Sequence, residues 1–132
     1  MARPPQVIER MQMVRVEVPT PMPYVAMLQP GTEPAQWMVM VMPNRKLLKV
    51  AVAGVFPLDQ DKQGLQLWVL DDAGTPHPMG MMPDTGTAEM PMPEGMAMPL
   101  KPVMAVSVEP KGGSPTGLPT GPVVTTAPLL QL

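Results

Sequence analysis

The 16 methionines of this 132-residue chain are its most chemically suggestive side chains, because thioethers are soft, polarizable donors. They cluster as Met11/Met13, Met38/Met40/Met42, Met79/Met81/Met82, Met90/Met92 and Met96/Met98. On a strand, positions i and i+2 share a face, so such a pair can offer two sulfurs to one Cu(I) ion. The same spacing serves plain packing. Met38, Met40 and Met42 alternate with Trp37, Val39 and Val41, and the trio is expected to fill core between sheets. Met90, Met92, Met96 and Met98 lie in a proline-rich, loop-like stretch, where a Cu(I) site or a methionine-oxidation sensor is the alternative to packing.

The other reactive groups do not assemble. His77 is the only histidine and sits between Pro76 and Pro78, which predicts an exposed turn residue. Alone it makes neither a zinc site nor a catalytic pair, and cysteine is absent. Ser107 and Ser114 therefore have no triad to join, and Ser107 lacks a nucleophile elbow. Asp59-Gln60-Asp61-Lys62-Gln63-Gly64 opens like a calcium loop, but Lys62 occupies the ligand region and the closing glutamate is missing. It reads as a solvated turn. Gly112-Gly113-Ser114 and Gly117 to Gly121 have neither a P-loop lysine nor a helix N-terminus to cradle phosphate. No enzyme and no cofactor are implied.

Composition narrows the class further. Net charge is −2 with 15% charged residues, which lacks the basic excess that nucleic-acid backbones demand. The 21 prolines and 11 glycines approach the composition of disordered chains, yet 45% of residues are apolar and fall into short β-like runs. The length suits one domain with its own core. With no cysteine there is no disulfide framework. No run reaches the roughly 20 apolar residues that cross a bilayer, and the first residues lack a signal-peptide core.

These side chains must be positioned by strands, because prolines leave no room for a long helix after residue 18. The two-residue rhythm predicts strands at 12–18, 24–29, 36–42, 46–55, 65–70, 78–82, 87–92, 103–108 and 123–127. The segment 103–108 is nearly continuous in apolar residues, as a central strand would be. Trp37 and Trp68 are expected in the core, each indole N–H meeting a carbonyl. Short strands with turns every 8–12 residues predict an all-β fold, a two-sheet antiparallel β-sandwich of about seven to nine strands. The tail at 128–132 is either an added edge or unstructured.

Between the last two runs lies Glu109-Pro110-Lys111-Gly112-Gly113-Ser114-Pro115-Thr116-Gly117-Leu118-Pro119-Thr120-Gly121-Pro122. Its prolines fix φ and its glycines permit φ > 0, so it encodes one backbone path rather than a spacer. This phrase resembles the ending of the outer domain of anti-sigma-K-type anti-sigma factors. Gly64-Leu65-Gln66-Leu67-Trp68-Val69-Leu70, with Gly74 and Pro78-Met79-Gly80 after it, is similar to an upstream hairpin of the same family. With Tyr24 to Leu28 and the Trp37 strand, the likeness runs in order over residues 20–127.

The resemblance implies a β-sandwich at 21–132 preceded, over 1–20, by a juxtamembrane linker, arm or edge strand. It implies the periplasmic, extracytoplasmic part of a single-pass inner-membrane protein, attached through a membrane helix outside this sequence. It also implies a sigma-factor partner held by a missing cytoplasmic domain, and a site-1-type protease that cuts near the membrane to begin release of that factor. The residues it marks as structurally important are Trp68, Glu109, Gly112, Gly113, Ser114, Pro115, Gly117, Pro119, Thr120, Gly121 and Pro122. Glu109, at a strand end, is expected to accept hydrogen bonds from backbone amides of the following loop.

Overall fold

A computed structural model describes residues 23–132 of the chain. The expected strand at 12–18, the cluster Met11/Met13 and the boundary drawn at residue 20 lie outside the described residues. Nine strands follow in order: β1 (Tyr24–Leu28), β2 (Gln36–Met42), β3 (Leu47–Ala53), β4 (Gln63–Leu70), β5 (Pro76–Met81), β6 (Gly86–Pro91), β7 (Val103–Pro110), β8 (Val123–Pro128) and β9 (Leu130–Gln131). The only helical piece among the described residues is one 3-10 turn, Pro43–Arg45, closed by Lys46 in the left-handed region.

The strands form two antiparallel sheets, one of five in the order β6-β3-β2-β1-β9 and one of four in the order β5-β4-β7-β8. The architecture is the all-β sandwich that the rhythm of the sequence predicts. β2 and β3 pair as a hairpin from Gln36↔Ala53 to Met42↔Leu47. β4 pairs with β5 through a bulge at Leu67/Trp68, and with β7 without interruption from Gln63↔Pro110 to Leu70↔Val103. The C-terminal residues form the edge strand β9 on β1, with Tyr24↔Gln131 and Val25↔Leu130.

The core lies between the sheets. Trp37, Val39, Val41, Leu48 and Val50 from one sheet meet Leu67, Val69, Met104 and Val106 from the other, all essentially inaccessible to solvent. Branched and aromatic side chains lose little rotamer freedom here and cover large apolar area, which is what a pleated inner face selects. Phe56 tilts against Trp37 with ring centroids 5.8 Å apart, sealing one end of the layer.

That choice corrects the reading of Met38, Met40 and Met42 as filling between the sheets. Both faces of β2 are apolar, so alternation alone did not decide which one turns inward. Trp37, Val39 and Val41 take the interior, and Met38 stands 37% exposed on the outer face directly opposite Met27, itself 53% exposed. Burying a methionine forfeits more rotamer freedom than burying a valine, which favours this parity. His77 also differs from expectation. It lies within β5 rather than in a turn, and its Nε2 is 2.9 Å from Asp71 Oδ2.

Candidate functional site

The loop between β7 and β8 does not project into solvent but folds back across the outer face of the four-stranded sheet. Lys111 N–H donates to the Lys62 carbonyl at 2.9 Å, and Gly113 N–H to the Pro110 carbonyl at 2.9 Å, which turns the chain off the end of β7. Gly112 and Gly113 have φ of 94° and 110°, a region that a side chain would strain. At its far end the loop runs beside β7 again, where Val108 N–H donates to the Pro122 carbonyl at 3.0 Å. Gly121 is required there for a different reason: a Cβ would lie 1.8 Å from the Val108 carbonyl oxygen.

Beneath this clasp sits a directed chain of hydrogen bonds. Trp68 Nε1 donates to Ser107 Oγ at 2.8 Å, and Ser107 Oγ donates to Glu109 Oε2 at 2.6 Å. The carboxylate then gathers the loop: Thr120 N–H reaches both oxygens at 3.1 Å, Thr120 Oγ1 donates to Oε1 at 2.5 Å, and Gly121 N–H donates to Oε2 at 3.2 Å. Trp68, Ser107 and Glu109 are all buried, Glu109 with only 2% of its surface exposed. Burial works to raise the Glu109 carboxyl pKa. The donors from Ser107, Thr120 and Gly121 outweigh it and hold the group below its ordinary value, so it is a carboxylate at neutral pH.

A second tie lies alongside. Ser114 N–H donates to Gln66 Oε1 at 2.7 Å, while Ser114 Oγ and Thr116 Oγ1 both donate to the Leu118 carbonyl and hold the tip of the loop in shape. Of the residues singled out from sequence, Trp68, Glu109, Thr120 and Gly121 thus join one network, and Ser114 anchors to a neighbouring strand. Gly112, Pro115, Gly117 and Pro119 shape the path between anchors, with Gly117 at φ 83°. Two corrections follow. Trp68 packs under the clasp rather than between the sheets, and its indole meets a hydroxyl, not a carbonyl. Ser107 and Gln66 went unrecognised as members of the site. The signal was present in the alternation of Met104, Val106 and Val108 with Ala105, Ser107 and Glu109, which gives β7 a polar outer face.

The profile described as "Anti-sigma-K factor rskA, C-terminal" matches residues 6–123. The chain belongs to that family. No curated protein and no solved structure matches it. The family is one of regulators. The segments on which the sequence resemblance rests, Gly64 to Leu70 and Val103 to Val123, fall on the two central strands of the smaller sheet and on the clasp between β7 and β8. No helix of the described residues is long and apolar enough to cross a membrane.

A cleft of about 530 Å³ opens at the other end of the larger sheet, between Tyr24, Lys46, Gln131 and the loop Met92-Pro93-Glu94-Gly95-Met96-Ala97-Met98. Met92, Met96 and Met98 line it, half-buried against the edge of the core. Met90 packs against the same core from β6, with its Sδ and Cε 3.5 Å from where a Cβ on Gly80 would stand. Among the described residues, no three His, Cys, Asp or Glu side chains gather as a metal site.

Proposed function

We propose that this domain is the extracytoplasmic regulatory part of a membrane-spanning anti-sigma factor, and that it sets how readily a protease reaches the chain on the N-terminal side of β1. The observation that carries the reading, beside family membership, is the clamp at the entry to β1. β9 pairs with the first two residues of β1, and Leu132 N–H donates to the Pro23 carbonyl at 3.1 Å. A two-residue edge strand contributes few ladder bonds, so it belongs with the segments that open locally at low cost. Cleavage tracks the population of such an opened state when opening and closing are fast relative to the cut. The sigma factor is the partner of the cytoplasmic part of such a protein, and this domain acts on it only through that cut.

The test removes Leu130 to Leu132 and leaves the buried Leu129 in place. Chymotryptic cleavage of the Tyr24–Val25 bond, identified by the masses of its fragments, reports opening of the clamp because β9 pairs with both residues. Each 1.4 kcal/mol of lost pairing raises the open population about tenfold, and that is the scale of acceleration expected. In the complete membrane-anchored protein, the same truncation is expected to raise sigma-dependent reporter transcription without an inducer. Unchanged cutting and unchanged transcription would refute the proposal.

A further inference from the structure

We infer that the cleft beside β1 is a Cu(I) site whose ligands are the thioether sulfurs of Met92, Met96 and Met98. The inference does not depend on the domain's part in sigma-factor control. Three methionines fall within seven residues, and the local backbone is what brings them to one place. Met96 N–H reaches back to the Pro93 carbonyl at 3.4 Å, and Gly95 adopts φ 72°, so the chain reverses between Met92 and Met96. Met92 N–H donates to the Lys46 carbonyl at 3.0 Å, which fixes the start of the loop to the turn after β2. Met96 and Met98 then share the cleft wall with Met92.

Soft thioethers select a soft ion, and Cu(I) is satisfied by two or three such ligands without a carboxylate or imidazole. Harder divalent ions have no comparable place, since the described residues hold no cluster of His, Cys, Asp or Glu. The site is concave, and its methionines are half-buried, which shields the ion from water on the core side. The outer face of the larger sheet makes a useful contrast. Met27 and Met38 are direct cross-strand neighbours there, but they stand exposed on the outer face and do not line this cleft. Binding leaves the oxidation state of the metal unchanged and requires no partner reaction.

The experiment is an anaerobic titration of the whole chain with Cu(I) against a competing chromogenic chelator. One equivalent per chain is expected. The triple variant M92L/M96L/M98L, which preserves side-chain volume, is expected to lose at least about tenfold in affinity, the lower end of what a lost supporting group costs a metal site. M27L/M38L is expected to bind as the parent does. In a second measurement, methyl-labelled methionine signals of Met92, Met96 and Met98 should shift on adding Cu(I) while those of Met27 and Met38 stay in place. No stoichiometric binding, retention of affinity by the folded triple variant, or loss in M27L/M38L would overturn the assignment.

Discussion

Glu109 is an unusual choice for a buried strand end, and its value lies in how many donors it satisfies at once. Two backbone amides and two hydroxyls converge on its carboxylate. A hydrophobic replacement would leave the buried Ser107 hydroxyl without its acceptor, which costs more than that bond itself contributes, and would take from the exposed Thr120 and the half-buried Gly121 the anchor that holds the loop down. Glu109→Ala is therefore expected to destabilise the domain by about 3 kcal/mol and to lower Tm by roughly 10 °C in a thermal melt. Glu109→Gln keeps one acceptor oxygen but turns an amide N–H₂ toward donors, so its loss should be smaller and still clear. A Tm for Glu109→Ala within a degree or so of the parent would mean the clasp is held by something other than this carboxylate.

At the level of elements, the clasp converts an outer sheet face into a second buried layer. β4 and β7 are covered on both sides, by the larger sheet on one and by the loop on the other, so Trp68 is inaccessible although it lies outside the main core. Replacing residues 114–119 with a short glycine linker should uncover Trp68 and leave Trp37 enclosed between the sheets. The expected readout is a red-shifted component in tryptophan fluorescence together with a loss of about 2 kcal/mol, the scale of exposing one large apolar side chain. An unshifted spectrum would show that the loop does not shield the indole. Much of this level was legible in the sequence. Proline and glycine spacing marked the turns, and the nearly apolar run at Val103 marked the central strand. What alternation did not reveal was which face of β2 turns inward, since Trp37, Val39, Val41 and Met38, Met40, Met42 are both apolar sets. Nor did it reveal that Ser107 serves Trp68, because that contact joins residues 39 positions apart and depends on the β4–β7 register.

For the molecule as a whole, the carboxylate under the clasp ties fold stability to acidity in a definite direction. Glu109 holds its proton more weakly in the folded chain than in the unfolded one, where its ordinary value is 4.5. The unfolded chain therefore takes up more protons as pH falls below that value, and proton uptake favours unfolding. The stabilisation is complete above pH 4.5 and drains away as pH falls through the lowered, folded value. Asp71, lowered first by its hydrogen bond to His77 and then by that to the Thr75 amide, leans the same way from an exposed position. Denaturant unfolding of the parent should thus show stability falling as pH drops below 4.5, while Glu109→Gln, which has no proton to gain there, should show a shallower decline. If opening of the fold governs protease access, the parent should also be cut faster below that pH, with the variant already elevated at neutral pH and less responsive to acid. Parallel pH profiles for the two proteins would remove Glu109 as the source of acid sensitivity and leave the remaining carboxylates to account for it.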